Sequence, residues 1–125
     1  MNYWPTYSTN MAECAQPLIS YVDSLREPGR VTAKIYAGVD QGFMAHTQNN
    51  PFGWTCPGWS FDWGWSPAAV PWILQNCWEY YEFTGDVSYM QNYIYPMMKE
   101  EAIFYDNILI DDGAGHLVSS PSYSP

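Results

Sequence analysis

Residues 66–85, SPAAVPWILQNCWEYYEFTG, decide the fold class. Ser66 followed by Pro67 reads as a helix cap with proline at the first helical position, and Gly85 reads as the stop. Between them Trp72, Cys77 or Asn76, Tyr80 and Phe83 recur at helical spacing, which predicts one strong helix with those residues on one side. Beyond Gly85, Asp86 caps a helix carrying Tyr89, Met90, Tyr93 and Ile94. Pro96 then starts or kinks a run through Met97, Ala102, Ile103, Tyr105, Ile108 and Leu109, which Asp111-Asp112-Gly113 closes. The tail GHLVSSPSYSP, 115–125, is loop with a short extended stretch at Leu117 and Val118.

Upstream, Asn10 with Glu13 three residues later predicts a capping box, opening a helix whose apolar stripe is Leu18, Tyr21, Val22 and Leu25. Pro17 either kinks this helix or marks where its regular part begins, and Glu27-Pro28-Gly29 ends it. A second short helical stretch follows from Pro28 to about Tyr36, with Arg26, Arg30 and Lys34 spaced four apart as a solvated face. No strand pattern repeats, so the class is all-α.

Residues 38–67, GVDQGFMAHTQNNPFGWTCPGWSFDWGWSP, show neither helical nor strand periodicity and are punctuated by Gly and Pro. This predicts one long loop, and structureless loops beyond about 12–15 residues are usually functional or disordered. The rings of Phe43, Phe52, Trp54, Trp59, Phe61, Trp63 and Trp65 argue for the functional option.

Composition narrows the rest. At 125 residues one core is the most the chain can hold, and 18% aromatic against 14% charged residues is far from the signature of disorder. The formal net charge of −9, with only Arg26, Arg30, Lys34 and Lys99 as cations, leaves no basic stripe for nucleic acid. No apolar run reaches membrane-span length and no signal-peptide pattern opens the chain. Cys14, Cys56 and Cys77 are widely spaced with two histidines beside them, so neither a zinc site nor another metal or cofactor is expected. All three thiols are read as buried.

In the loop, polar groups sit among aromatic rings: His46, Thr47, Gln48, Asn49 and Asn50, then Trp54, Thr55 and Asp62. That mixture suits a sugar, whose C–H face stacks on a ring while amides and imidazole bind its hydroxyls. A purely structural role stays open, because asparagines serve turns and tryptophans serve packing without any ligand. Glycoside hydrolysis needs two carboxyl groups flanking the bond. The neighbouring pairs Glu79 and Glu82, Glu100 and Glu101, and Asp111 and Asp112 are explained by surface or capping roles, His116 by a loop role, and no Ser, His and Asp spacing suggests a triad.

Read together, MNYWP (1–5), STNMAEC (8–14), SLREPGRVTAK (24–34), AHTQNNPFGWTCPGW (45–59), WEYYEFTGD (78–86), YPMMKEEA (95–102) and LVSSPSYSP (117–125) resemble the family 95 α-L-fucosidases, in the family's order. The resemblance implies that the chain is an internal piece, roughly a third, of an (α/α)6-barrel catalytic domain. It implies inverting removal of terminal α-L-fucose from oligosaccharides or polysaccharides, without a metal. It also places the catalytic groups outside the chain: a glutamate as general acid directly after Pro125, and asparagines upstream of the NYWP motif working with a distant aspartate. Met1 is then an internal methionine. Many members carry histidine, aspartate and histidine where this chain has Thr47, Asn50 and Asn76, which leaves a related L-sugar such as L-galactose open.

The expectation is therefore part of a fucosidase-like hydrolase that contributes pocket wall through His46, Asn49, Asn50, Trp54 and Thr55. Its partners are a fucosylated glycan and the remainder of its own domain, not nucleic acid or membrane. Location is left open, secretion or the cell surface included. Two other readings stand beside it: a non-catalytic carbohydrate-binding helical protein, and a helical-barrel glycosidase or phosphorylase of another family.

Overall fold

The structure, a computed structural model, describes residues 1–58 and 66–123. Trp59, Phe61, Asp62, Trp63 and Trp65, singled out above, lie outside the described residues. The helices in order are α1 (Trp4–Ser8), a 3-10 turn (Ala12–Ala15), α2 (Gln16–Ser24), and α3 (Arg26–Thr32), which runs on as a π-helical turn (Ala33–Ala37). After the 38–58 segment come α4 (Ala69–Thr84), the single turn α5 (Val87–Tyr89), a π turn (Met90–Ile94) and α6 (Tyr95–Ile108). The chain is mostly helical, but not wholly. Strands β1 (Leu109–Asp111) and β2 (Leu117–Ser119) pair antiparallel, with Ile110 opposite Val118. Local chemistry makes that hairpin. Asp111 Oδ1 accepts from the Gly113 N–H and Asp112 Oδ1 from the Ala114 N–H, both at 2.7 Å, while Gly113 and Gly115 take positive φ.

Prolines set several helix starts. Pro17 and Pro96 occupy the first turns of α2 and α6, where a missing backbone donor has no helical partner to lose. Pro28 sits in the first turn of α3 for the same reason, so Glu27-Pro28-Gly29 lies inside a helix rather than ending one. The break falls at Leu25 instead. The Asn10–Glu13 capping box does not form: Asn10 takes φ +58° and Met11, with no side-chain cap, precedes the 3-10 turn. Asp86 does cap, its Oδ1 accepting from the Tyr89 N–H at 2.9 Å, and Gly85 ends α4 in the left-handed conformation.

The main core joins Ala15, Ile19, Val22 and Leu25 around α2 to Val70, Leu74, Cys77 and Tyr80 of α4, with Phe43, Ile94 and Met97. Leu18 and Tyr21 flank this stripe. On α4 the inward face is rotated from the expected one, for Trp72 and Phe83 are both 61% exposed. Gln75, Glu79 and Glu82 form a polar stripe opposite Val70, Leu74 and Cys77, and the exposed Trp72 and Phe83 sit beside that stripe. A second cluster gathers Ala33, Val39, Met44 and Phe104. Of the three thiols only Cys77 is buried; Cys14 is exposed and Cys56 half-buried.

The cations do more than solvate a face. Arg26 and Arg30 both donate to the Glu100 carboxylate, Arg26 Nε at 2.7 Å and an Arg30 terminal nitrogen at 2.9 Å, tying α3 to α6. Burial pushes Glu100 up, but the Arg30 and Arg26 hydrogen bonds outweigh it and hold the carboxyl below its ordinary value. Lys34 pairs instead with Asp40 at 2.9 Å and stands on the open surface as expected.

Candidate functional site

The 38–58 segment is a packed structure built on α3. Phe43, Met44, Ala45 and His46 are four consecutive buried residues. Gly29 lets them pass: a Cβ there would lie 2.9 Å from the Met44 carbonyl oxygen, and the Met44 N–H donates to the Gly29 carbonyl at 3.1 Å. The chain then turns back on itself. The His46 N–H donates to the Thr55 carbonyl at 2.8 Å, and the buried Thr55 and Thr32 hydroxyls meet at 2.7 Å. At the tip, Asn50 Oδ1 accepts from the Phe52 N–H at 3.0 Å and the Trp54 N–H at 3.3 Å, leaving Phe52 94% exposed.

This frame sorts the five expected sugar-contact residues into two layers. His46 and Thr55 form the inner layer, fully buried. The Gln48 N–H donates to His46 Nδ1 at 3.3 Å, which places the proton of a neutral ring on Nε2. Asn49, Asn50 and Trp54 form the outer layer. Asn49 is oriented by two contacts, accepting from the Tyr21 hydroxyl and donating to the His46 carbonyl at 2.6 Å. It lines a hollow of about 420 Å³ with Thr47, Ser66, Ala69, Trp72 and Ile73. Asn50 and Trp54 line another, of about 480 Å³, with Gln48, Pro57 and Gly58. Trp54 is 48% exposed, a ring open on one side. Both volumes fall in the range of small-molecule sites.

Trp72 also borders a smaller hollow of about 230 Å³ with Trp4, Gln75, Asn76 and Glu79. Sequence reasoning missed this pair of exposed tryptophans because it turned Trp72 inward. Among the described residues lining the two loop hollows there is no carboxylate. Nor do the described residues hold any group of three or more His, Cys, Asp or Glu side chains that could bind a metal.

The carboxylate that does stand out lies elsewhere. Glu101 is 4% exposed, and neither of its carboxylate oxygens has a hydrogen-bond partner among the described residues. Burial, reinforced by the adjacent Glu100, pushes its pKa up to about 9. The surface role expected for Glu101 is corrected accordingly. Met97, Glu101, Phe104 and Ile108 follow the i, i+4, i+7, i+11 spacing of one helix face, and that spacing was the available signal.

A family model described as the glycosyl hydrolase family 95 catalytic domain matches residues 1–125, the whole chain. The chain belongs to glycosyl hydrolase family 95. This family 95 chain is 32% identical over 126 residues to Alpha-L-fucosidase 2 of Arabidopsis thaliana, and 30% identical over 129 residues to Probable alpha-fucosidase A of Aspergillus niger. Each alignment takes in 100% of the family 95 chain, which spans 15% and 16% of the lengths of these two relatives.

Proposed function

We propose that this chain forms part of the catalytic domain of a glycoside hydrolase that removes terminal α-L-fucose, or a related L-sugar, from fucosylated oligosaccharides or polysaccharides. The observation that carries the reading is the family 95 match over the full 125 residues, supported by two relatives named as fucosidases. The helices would be part of an (α/α)6 barrel, and hydrolysis would proceed with inversion. The chain's own contribution is binding: Trp54 offers a ring to a sugar's C–H face, while Asn49 presents an amide held by Tyr21 and the His46 carbonyl, and Asn50 one held by the Phe52 and Trp54 N–H groups.

Catalysis is assigned to groups beyond these residues. An inverting enzyme needs an acid and a water-activating base on opposite sides of the bond. The described lining of the loop hollows supplies neither. The 125-residue chain alone is therefore expected to leave an aryl α-L-fucoside intact, whereas the full-length protein should release β-L-fucose as the first anomer seen by NMR. First release of the α-anomer would overturn the inverting mechanism. Turnover only in the presence of phosphate would overturn hydrolysis in favour of a phosphorylase. Cleavage by the purified 125-residue chain would overturn the placement of the catalytic groups.

The binding role has its own test. In the full-length enzyme, Trp54→Ala is expected to lower kcat/KM by about 5–150-fold, from roughly 1–3 kcal/mol of lost contact, with little change in melting temperature because the ring is half-exposed. Asn50→Ala should lower both, since its carbonyl also accepts two turn N–H groups. A Trp54→Ala enzyme with unchanged kcat/KM and a large drop in melting temperature would assign the ring to packing.

A further inference from the structure

A hollow lies between α4 and α6. It measures about 810 Å³, with Leu74, Trp78, Met98 and Tyr105 among its walls and Glu79 and Glu82 also lining it. Glu101 belongs to the same lining and is the residue whose two buried carboxylate oxygens lack partners among the described residues. We infer that this groove seats a helix from the remainder of the same catalytic domain, apolar along its buried side and carrying one arginine or lysine that ends at the Glu101 carboxylate. The inference rests on the reading above, that these residues belong to a larger helical domain.

Three observations converge on that occupant. Buried side-chain oxygens are almost always hydrogen-bonded in native proteins, so Glu101 calls for a donor that the described residues do not supply. The groove's shape is the valley between neighbouring helices, into which a third helix's ridge of side chains fits. Its charge is acidic, and the chain has no cation to spare for it. Arg26 and Arg30 are held by Glu100, and Lys34 by Asp40. Lys99, two positions from Glu101, lies about 200° round the helix from it. A second copy of a chain with net charge −9 would bring repulsion and the same shortage. The relatives, of which this chain spans 15% and 16%, have ample further polypeptide to provide a basic helix.

The test uses the full-length protein, with a photo-crosslinking amino acid in place of Glu82 and peptide mapping of the product. The expected result is an intramolecular crosslink to a helix outside residues 1–125 that contains arginine or lysine. A crosslink to a second copy, a crosslink confined to residues 1–125, or no crosslink overturns the proposal. Glu101→Gln provides a second readout. If the carboxylate pairs with a buried cation, the amide should lower the melting temperature by about 2–5 °C, because it strands that charge. An unchanged or raised melting temperature means the carboxyl stands alone and neutral, and overturns the pairing. Fucoside turnover on the same preparation separates the two readings: a turning-over enzyme without the crosslink sinks only this inference. A crosslinked protein without turnover sinks only the assigned activity.

Discussion

Gly42→Ala is expected to cost about 3 kcal/mol or more and to loosen the 38–58 segment from α6. Gly42 takes φ +84°, a region that costs an L-residue roughly 1–2 kcal/mol. A Cβ there would lie 2.5 Å from Phe104 Cβ and 2.6 and 2.7 Å from the Phe104 backbone nitrogen and Cα. Helix backbone cannot step aside as a flexible side chain can, so an overpacking cost of about 1–3 kcal/mol adds to the conformational one. Gly38→Ala is the control, with φ +71° but nothing within 4 Å of the added carbon. Urea midpoints followed by near-ultraviolet circular dichroism should fall much further for Gly42→Ala than for Gly38→Ala. Equal shifts would show that the segment does not approach α6 this closely.

The second large effect is a stability that declines with pH. With the groove open, Glu101 in the folded 125-residue chain titrates near 9, against an ordinary value of 4.5. Its folded pKa is raised, so the favourable contribution is fully present below 4.5 and is lost as pH rises through about 9. Across that window each pH unit removes about 1.4 kcal/mol, until the chain's marginal stability is exhausted. Glu100, next in sequence, works in the opposite sense. Its pKa is depressed, so its contribution is present above its unfolded value and is lost as pH falls through the folded one. Urea midpoints at pH 5, 6, 7 and 8 should therefore decrease, and Glu101→Gln should flatten the series while leaving the acid side unchanged. A wild-type chain equally stable at pH 5 and pH 8 would contradict the buried, unpartnered carboxyl.

How much of this was legible in the sequence depended on the kind of signal. Backbone chemistry read well at Gly85 as a stop, Asp86 as a cap, and Pro17 and Pro96 at helix starts. It did not at Asn10–Glu13, at Glu27-Pro28-Gly29, or at Ser66, where α4 begins instead at Ala69 after an Ala68 cap with no side-chain bond. The buried face of α4 was misread because large rings sit beside its polar stripe of Gln75, Glu79 and Glu82, so aromatic spacing pointed to Trp72 and Phe83 rather than to Val70 and Leu74. Paired charges were hidden for a different reason. Glu100 and Glu101 are adjacent and chemically identical, yet one lies in an arginine clamp from α3 and the other faces inward beside Phe104's stripe. The arginines that separate them are 74 and 70 positions away. In the loop the composition pointed to a sugar-binding surface, but not to its layering. His46 is held inside by its N–H bond to the Thr55 carbonyl, and Thr55 by its hydroxyl bond to Thr32, partners that no local pattern announces.

The burial of Cys77 has a consequence in kinetics. Seated in the core of α4, its thiol is pushed up to about 12 by desolvation, so at neutral pH it stays protonated, and only thiolate attacks an alkylating reagent. Cys14 lies exposed on the surface. The two cysteines thus form a paired clock. Cys14 records how fast the reagent works, and Cys77 records how often the α4 core opens to let it in.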